Sequence, residues 1–438
     1  MSARPQPIAL AAYQCAPGQG SVSQIGWEWA SRLSARRPVV LLTHSRNQAA
    51  IEAAGGLAAG SEIHYLDTEW LAGPLFRLAR RLFPHSEHGV FLIASLDFFL
   101  FDWLAVRRLR RRLREPAPPT LVHIVTPVTL AAPSRLHRTG LPVIVGPLNC
   151  GLHSPKGFSE QLRDESPWLI RLRELPRLLD GLLGATRRAR LILTASRATR
   201  LAVAPKHRHK TRPMLENGID PADFSPAPWP ARPGAGKPLK VLFIGRMIRL
   251  KGIDLLLRAL AELDQQGRLV PTTLSGDGPC REEWQQLANR LGLSDHVEFA
   301  GALDRPAVAT ALREHHVLCL PSVRESGGAV LLEAMASARP VIALEHGGPA
   351  ELVDDTVGRA IPLHNPDQVV EALSDALASV MDTPDDWCQR GRNGLERVHQ
   401  RWTWPRKLDQ AEVYYETLIN SPSRSSRLAA TAKEETTS

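Results

Sequence analysis

Short apolar segments alternate with amphipathic helical segments along almost the whole chain. Residues 7–13, PIALAAY, are typical of the apolar segments, because they run on without alternating polar positions. Strands of this kind are buried on both faces, as in parallel sheets covered by helices. The same pattern predicts strands at 38–44, 62–67, 121–126, 142–148, 189–196, 239–246, 269–276, 297–301, 316–322 and 340–344.

The rhythm of strands and helices runs through the chain twice, and a segment rich in proline, glycine and alanine separates the two runs. We predict a linker there, at 229–238. A chain of 438 residues also exceeds the usual size of one hydrophobic core. The predicted fold class is α/β, with two doubly wound Rossmann-like domains, 1–228 and 239–400, facing each other across a cleft.

The composition, 43% hydrophobic and 23% charged, is that of a globular protein, except for a polar tail at 421–438 that we expect to be disordered. The net charge of +9 suggests an anionic partner. Nucleic acid is not expected, because no recognition motif is present. Five scattered cysteines without metal or disulfide spacing, and no secretory signal, predict a cytoplasmic protein with reduced thiols.

Two basic clusters stand out in the first half, RRLRRRLRE at 107–115 and KHRHKTR at 206–212. The first follows an apolar stretch, 89–106, in which Asp97 and Asp102 argue against a transmembrane span and for a buried helix. Such clusters suggest peripheral contact with an anionic membrane surface, on the inner face of the membrane. Solvated helix faces are the alternative.

The segment 321–344 passes from a predicted strand through two glycines into a predicted helix. Ser326, Gly327 and Gly328 lie at that turn, where free backbone N–H groups and the positive end of the helix dipole favour an anion. Glycine also lets a phosphate approach the backbone. We interpret the turn as a cradle for a pyrophosphate.

Two carboxylates flank this turn. Glu333, about one turn inside the helix, is placed to accept hydrogen bonds from ribose hydroxyls, and Glu325 faces the side where a sugar would lie. The alternative is a helix with acidic residues placed favourably near its N-terminus.

Two more loops follow strands of the second half. In GRMIRLKG, residues 245–252, Arg246 and Lys251 suit a diphosphate, although surface cations are the simpler interpretation. Positive charge there also stabilises a leaving diphosphate as the bond to a sugar breaks. SGDGP contains Gly276 in a tight turn that by itself indicates little.

The first half has its own glycine loop after the first strand. Gly18 and Gly20 precede a helix predicted to begin near Gln24. The pattern is not GxGxxG, which argues against a dinucleotide dehydrogenase. The loop suits a cap over phosphate or sugar from across the cleft, and a plain strand-to-helix connection is the alternative.

Taken in order, FIGRMIRLKG, SGDGP, PSVRESGGAVLLEAMA and GGPAELV resemble the motifs of GT4-type (group 1) retaining glycosyltransferases of the GT-B fold. The resemblance covers most of residues 238–360, and a looser one extends to the first half. It implies a nucleotide-sugar donor, a glycan or lipid-linked acceptor and no metal or other cofactor. It also implies that a helix at 401–420 crosses back onto the first domain.

The resemblance implies roles for single residues. Arg246 and Lys251 would neutralise the donor diphosphate, Glu325 would contact the donor sugar, and Glu333 would bind the ribose. The donor-binding loops contain Gly18, Gly20, Gly245, Gly276, Ser326, Gly327, Gly328 and Ala329.

One departure from the family concerns a histidine. The family often carries a catalytic histidine in the loop after the fourth strand of the first domain, whereas His123 lies inside the predicted strand. We include His123 as a catalytic candidate, with a packed core histidine as the alternative. Ser-Gly-Gly after Glu325, and Asn149 with Cys150 after the fifth strand, also depart from the family pattern.

We therefore expect a retaining, metal-independent hexosyltransferase, in bacterial cell-surface or exported polysaccharide synthesis. One alternative is a non-enzymatic nucleotide- or glycan-binding protein on the same fold. Another is a phosphorylase or epimerase of similar architecture.

Overall fold

A computed structural model of the chain describes residues 5–82, 97–163, 180–234 and 236–420. The strands of the described residues are β1 (Ile8–Ala12), β2 (Val39–His44), β3 (Glu62–Leu66), β4 (Val122–Thr126), β5 (Val143–Leu148), β6 (Leu191–Thr194), β7 (Thr211–Pro213), β8 (Val241–Ile244), β9 (Thr272–Ser275), β10 (Val297–Gly301), β11 (Val317–Leu320), β12 (Val341–Leu344) and β13 (Gly358–Ile361).

The helices of the same residues are α1 (Gly20–Ser34), α2 (Gln48–Ala53), α3 (Glu69–Leu82), α4 (Asp97–Arg112), α5 (Ala185–Arg188), α6 (Arg197–Ala202), α7 (Ile253–Gln265), α8 (Arg281–Arg290), α9 (Arg305–Glu314), α10 (Ala329–Ala336), α11 (Pro349–Leu352), α12 (Pro366–Asp382), α13 (Pro384–Arg401) and α14 (Trp404–Ile419). Short 3-10 helices lie at Ser45–Asn47, Leu136–Thr139, Pro205–Lys210 and Arg249–Lys251.

The strands form two parallel sheets, and the predicted α/β class with two doubly wound domains of the GT-B type is confirmed. The first sheet has the order β3-β2-β1-β4-β5-β6-β7, and the second has the order β10-β9-β8-β11-β12-β13. In each sheet the first strand of the domain lies inside the sheet, and the strand order reverses there. Ligands of such sheets bind beyond the carboxyl ends of the strands, at this switch point.

Burial explains why the apolar segments became strands. Every residue of β1, β2 and β4 is buried, and the same holds for β11 and β12 in the second sheet. The strands β7 and β13 were not predicted from the sequence. Each lies at the end of its sheet and is short and partly exposed, so neither needs a continuous apolar segment.

Polar residues set the ends of several helices. Asp304 accepts a hydrogen bond from the backbone of Ala307 at the start of α9, and Asn365 accepts one from Gln368 at the start of α12. The first helix begins at Gly20 rather than near Gln24, so the prediction was four residues late. The first backbone N–H groups of a helix lack intrahelical partners, so a polar first turn is compatible with a helix there.

The final helix, α14, packs against the first sheet. Trp404, Leu408, Ala411 and Tyr415 are buried in the same apolar cluster as β1 and β4. The chain therefore returns from the second sheet to the first.

The predicted linker at 229–238 starts on a segment held by the second domain. The Arg339 guanidinium, 1% exposed, donates hydrogen bonds to the carbonyl oxygens of Ala227 and Pro228 at 2.9 Å each. The ring of Trp229 packs edge-on against His316, with 5.4 Å between ring centroids. These contacts hold the entry to the second domain in one place.

No helix of the described residues combines the length and apolar character needed to cross a membrane. Of the apolar stretch 89–106, residues 89–96 lie outside the described residues, and α4 begins at Asp97. The tail predicted to be disordered, 421–438, also lies outside them.

A segment of the first domain docks on the second. After β5, residues 152–162 cross the cleft, and Phe158 is fully buried in the apolar cluster of the second sheet. The Gln161 amide donates a hydrogen bond of 2.6 Å to Asp254 at the start of α7. Residues 152–162, here named the crossing segment, thus tie the two domains together beside the cleft.

Replacement of Phe158 by alanine tests this docking. We expect Phe158→Ala to lower the free energy of unfolding by about 3–5 kcal/mol, because it leaves a cavity in the second core. Urea unfolding followed by tryptophan fluorescence measures the loss. Leu201→Ala, at a side chain 51% exposed, is the control and should change the free energy by no more than about 0.5 kcal/mol. Equal free energies of unfolding for Phe158→Ala and Leu201→Ala would contradict the docking.

Candidate functional site

The loops after β8 and β9 meet backbone to backbone at the carboxyl edge of the second sheet. A Cβ atom on Gly276, where φ is +142°, would lie 1.9 Å from the carbonyl oxygen of Gly245. The Gly245 N–H donates to the Ser275 carbonyl at 3.0 Å. Only glycine allows this approach at position 276, so the two predicted glycine turns form one surface.

An ion pair joins two of the predicted charged residues. The Lys251 Nζ, in the loop after β8, donates a hydrogen bond to the Glu325 carboxylate in the loop after β11. The two side chains are 19% and 14% exposed. Arg246 lies exposed in the same loop as Lys251. The structure therefore places a positive and a negative charge together, partly shielded from water, at this edge.

The turn at 326–328 leads into α10 without a side-chain cap. Gly328 is the N-cap residue, with φ +66°. Within the described residues, the backbone N–H groups of Ser326 and Gly327 have no hydrogen-bond acceptor. Free N–H groups at a helix start favour an anion, so the geometry suits the predicted pyrophosphate cradle, which ends at Ala329.

The loop after β12, in the GGPAELV motif, holds Glu325 from the other side. The Gly348 N–H donates to the Glu325 carbonyl at 2.9 Å. A Cβ atom on Gly347 would lie 2.1 Å from that same oxygen. The backbone of Glu325 is thereby fixed, and its side chain points to Lys251 rather than into solvent.

Glu333 lies one turn inside α10 and is largely removed from water. Burial raises the pKa of its carboxyl to about 7, with a further increase from Asp223 and an opposing effect from Arg305. The guanidinium of Arg305 is ion-paired with Asp223 at 2.9 Å. A carboxyl with a pKa near neutrality, next to the anion-binding turn, suits a hydroxyl-rich ligand.

The first domain contributes a glycine loop to the opposite side of the cleft. Gly18 and Gly20 have φ values of +71° and +74°, and a Cβ on either would meet nothing within 4 Å. The Gly18 N–H donates to the Gln24 side chain at 2.9 Å. The helix α1 starts without a side-chain cap and without an acidic residue in its first turn. This is a second helix start suited to an anion.

The crossing segment lies against the loops of the site. The Arg324 guanidinium donates to the Ser154 hydroxyl at 3.3 Å, and the His346 ring donates to the His153 carbonyl at 2.8 Å. Arg324 directly precedes Glu325, the residue that pairs with Lys251. The first domain therefore contacts both loops that hold Glu325.

His123 does not join this group. It is fully buried in β4, its Nδ1 lies 2.7 Å from the Tyr415 hydroxyl, and its Nε2 lies 2.6 Å from the Gly146 carbonyl oxygen. Burial lowers the pKa of His123 to about 4. Both ring nitrogens are occupied inside the core, so the structure favours the packed core histidine over the catalytic candidate.

The sequence analysis missed a polar cluster at the carboxyl edge of the first sheet. The Asp97 carboxylate accepts hydrogen bonds from the Tyr13 hydroxyl at 2.6 Å and from Arg46 at 2.7 Å. His44 is buried beside it, with its Nε2 2.6 Å from the Thr68 hydroxyl. Asp97 was noted only as an interruption of an apolar stretch, and a buried aspartate in such a stretch was the available signal.

It also missed Glu216, which lies between the domains. Its carboxylate accepts a hydrogen bond from the Asn149 amide, and a Cβ on Gly327 would lie 2.2 Å from its Oε1. No local motif contains Glu216, because its partners are distant in sequence. Asn149 was noted as a departure from the family pattern, and it was the one signal available.

Two chemical features bear on cofactors. Within the described ranges, no group of three or more histidine, cysteine, aspartate and glutamate side chains could hold a metal ion. Metal independence itself stays a prediction. None of the five cysteines, all of which lie in the described ranges, forms a disulfide bond.

Comparison with known sequences gives a family for the second domain. Residues 229–394 match the family described as "Glycosyl transferases group 1". The alpha-D-kanosaminyltransferase of Streptomyces kanamyceticus is 32% identical over 146 residues, 33% of this chain and 37% of that protein. The D-inositol 3-phosphate glycosyltransferase of Corynebacterium kroppenstedtii is 34% identical over 217 residues, 46% and 47% of the two chains.

The matched parts span less than two thirds of these relatives' own lengths. A longer match, to the 2-deoxystreptamine glucosyltransferase of Streptomyces kanamyceticus, is 32% identical over 240 residues, 52% of this chain and 60% of that protein.

Solved structures resemble the whole chain in fold. Sucrose-phosphate synthase from Thermosynechococcus elongatus has a TM-score of 0.63 at 19% identity, over 95% of this chain and 100% of that one. Anabaena HepE in complex with UDP and glucose has a TM-score of 0.62 at 17% identity, over 94% and 99% of the two chains.

Gly327→Ala tests the packing of Glu216 on the predicted phosphate turn. The added methyl group would meet the Glu216 carboxylate, and we expect a loss of about 1–3 kcal/mol in the free energy of unfolding. Gly73→Ala, where a Cβ meets nothing within 4 Å, is the control and should not destabilise the protein. In a Glu216→Ala background the cost of Gly327→Ala should shrink. An unchanged cost there would contradict the contact.

Proposed function

We propose, since residues 229–394 match the family Glycosyl transferases group 1, that this chain is a glycosyltransferase that uses a nucleotide diphosphate sugar. The acceptor would be a glycan or a lipid-linked glycan. We further propose a retaining, metal-independent transfer of a hexose in bacterial cell-surface or exported polysaccharide synthesis.

One arrangement carries this proposal. The Lys251–Glu325 ion pair lies beside the uncapped start of α10, with Glu333 one turn further along the same helix. The cation and the free N–H groups suit a diphosphate. The carboxyl with a raised pKa, further along the helix, suits a ribose. The fold shared with a UDP-bound protein is compatible with this interpretation.

In the proposed reaction the second domain holds the donor. Lys251 and Arg246 balance the negative charge that grows on the diphosphate as the sugar–oxygen bond breaks. The N–H groups of Ser326 and Gly327 take part of the same charge. Glu325 keeps Lys251 in place before the donor binds, and its carboxylate then faces the donor sugar. Since the Glu325 backbone is held by the loop after β12 and its side chain by Lys251, little reorganisation is needed.

The first domain would supply the acceptor side. The Gly18–Gly20 loop closes over the donor, and the cluster of Tyr13, Arg46 and Asp97 lies at the edge where an acceptor enters. The proposed transfer is a front-face displacement in which the leaving phosphate oxygen takes the acceptor proton. His123 has no part in it, because its two nitrogens are bonded in the core. Closure of the domains would exclude water from the reacting atoms.

A basic surface on the first domain supports the proposed membrane contact. A cavity of about 390 Å³ is lined by Trp103 and by six arginines, Arg107, Arg110, Arg111, Arg114, Arg135 and Arg138. Of these six, only Arg135 forms an ion pair, with Asp102 at 2.9 Å, within the described residues. Such uncompensated positive charge beside an exposed tryptophan suits an anionic lipid surface.

The second basic cluster, 206–212, contributes to another basic cavity. It is lined by His209, Lys210 and Arg212 of that cluster and by Arg187, Arg188 and Arg190, and Arg188 is close enough to lower the pKa of His137. Both clusters precede strands of the first sheet, at its amino edge. The cleft lies at the opposite, carboxyl edge, roughly one strand length of 17–20 Å away. A lipid-linked acceptor would therefore need a glycan long enough to reach the cleft.

Donor binding is expected to depend on Glu333 and on pH. Since the pKa of the Glu333 carboxyl is about 7, affinity for UDP or GDP should rise as pH increases toward 7, where the ionised carboxylate accepts ribose hydrogen bonds. Glu333→Gln should weaken binding by roughly tenfold at pH 7.5 and remove this increase. Titration calorimetry with UDP, GDP and ADP measures both effects, and Glu298→Gln, at an exposed carboxylate, is the control.

Failure of all three nucleotides to bind would contradict the proposed donor class. Binding without transfer to any glycan would favour the binding-protein alternative, and a requirement for inorganic phosphate would favour a phosphorylase.

The basic surface makes a separate prediction. Arg111→Glu combined with Arg114→Glu should weaken co-sedimentation with vesicles of 30% anionic lipid by at least about 30-fold, because each lost cation contributes about 1 kcal/mol and each added carboxylate is repelled. Added salt should also weaken the co-sedimentation of the wild-type protein with these vesicles. Arg290→Glu with Arg401→Glu, on the second domain, is the matched control. Equal sedimentation of all proteins would contradict membrane contact through this surface.

A further inference from the structure

Four separate parts of the chain meet at Glu216, in the segment between β7 and the second sheet. The side chain, 3% exposed, accepts a hydrogen bond from Asn149 in the loop after β5. It packs on Gly327 in the phosphate turn. The backbone carbonyl of Glu216 accepts a hydrogen bond from the Lys407 Nζ of α14. Glu216 is thus in contact with the loop after β5, the terminal helix and the donor loop at once.

Two buried atoms in this group have no hydrogen-bond partner within the described residues. They are the Asn149 Oδ1 and the Glu216 Oε2. The other polar atom of each side chain, the Asn149 Nδ2 or the Glu216 Oε1, is already used in the hydrogen bond between the two residues. An ionised carboxylate has no hydrogen to donate, and an amide oxygen has only acceptor capacity, so the second pair of atoms cannot bond while Glu216 is charged.

A proton on the Glu216 Oε2 would give this atom a hydrogen to donate to the Asn149 Oδ1. A protonated carboxyl donates from one oxygen and accepts at the other, and a primary amide does the same through its NH₂ and C=O. The two groups then form a paired, two-bond contact. Buried polar atoms left without partners cost free energy, so a protonated Glu216 is the form that the surroundings favour.

Burial favours the same state. It is the main cause that raises the pKa of Glu216, while a bond from its own backbone N–H, the Lys407 ammonium and the Asn149 bond oppose the increase, and the Glu325 carboxylate adds a smaller increase. The ammonium of Lys407 lies over the rings of Trp404 and Trp29, 4.4 and 5.0 Å from their centroids. Within the described residues, no ion pair joins it to the Glu216 carboxylate.

We propose that Glu216 is protonated in the native protein and, paired with Asn149, positions the Gly327 turn against the first domain. The inference rests on the proposed function in one respect, that the Gly327 turn binds the donor diphosphate. Glu216 touches no substrate in this account and is a positioning residue. Loss of its proton would place a second negative charge beside Glu325 and the diphosphate and break one of the two bonds to Asn149.

The sign of the pH effect follows from linkage. Glu216 holds its proton more tightly in the folded protein than in the unfolded chain, where the pKa of glutamate is about 4.3. The unfolded chain therefore binds fewer protons between the two pKa values, and stability falls as pH rises through the folded pKa. Burial lowers the pKa of Lys407, which gives the opposite trend, so a fall of stability with pH cannot come from Lys407.

The test compares wild type with Glu216→Gln, because glutamine keeps both bonds to Asn149 and cannot ionise. With UDP as the probe, we expect wild-type affinity to fall about three- to tenfold from pH 7 to pH 8.5. Glu216→Gln should match the wild type at pH 7 and lose this fall. Glu216→Ala should bind weakly at every pH. Ionisation of Glu333 raises the affinity with pH, so a fall above pH 7 cannot come from Glu333.

Thermal unfolding without ligand tests the same proton independently of the donor. The Tm of Glu216→Gln minus that of wild type should increase from pH 5.5 to pH 8.5 by more than roughly 2 °C. Glu298→Gln, at an exposed carboxylate, should show no such trend. If no nucleotide binds the wild type, the proposed donor class fails, and the Tm comparison still decides the role of Glu216.

Two results would overturn the inference. One is a pH dependence of Tm that is identical in wild type and Glu216→Gln. The other is a Glu216→Gln variant as weak as Glu216→Ala at pH 7, which would mean that the charge of the carboxylate is needed.

Discussion

The close packing of backbones at the carboxyl edge of the second sheet is the constraint on which the rest of the site depends. Gly252, with φ +61°, would place a Cβ atom 2.2 Å from the carbonyl oxygen of Pro321, and Gly276 would place one 1.9 Å from that of Gly245. The loops after β8, β9 and β11 therefore form one continuous surface. Lys251 and Glu325 pair across it because their loops touch, and the start of α10 opens onto it without a cap.

Connections between the domains gather beside that surface. The crossing segment buries Phe158 in the second core, and α14 returns to bury Tyr415 in the first. Between these two connections, Glu216 contacts Asn149, Lys407 and Gly327. A change in the angle between the domains must therefore act on the turn that precedes α10. This gives a physical route by which closure of the cleft and occupation of the turn influence each other.

Local patterns predicted the features that are local. Apolar segments predicted the buried strands, and spacing around Lys251, Glu325 and Glu333 predicted residues that the structure brings to one edge. What failed depends on distant partners. His123 has the sequence of a candidate base, yet Tyr415, 292 residues away, occupies its Nδ1. Glu216 has no motif at all, because its environment comes from three other parts of the chain. The edge strands β7 and β13 were missed because they are short and partly exposed and so contain no continuous apolar segment.

The most direct test of the central claim is a crystal structure of the chain with a bound nucleoside diphosphate, UDP or GDP. The account predicts the diphosphate between Lys251 and the N–H groups of Ser326 and Gly327, with ribose hydroxyls on Glu333. It also predicts both bonds between Glu216 and Asn149 in place beside the occupied turn. A nucleotide bound elsewhere, or a ribose that leaves Glu333 without contact, would contradict the account.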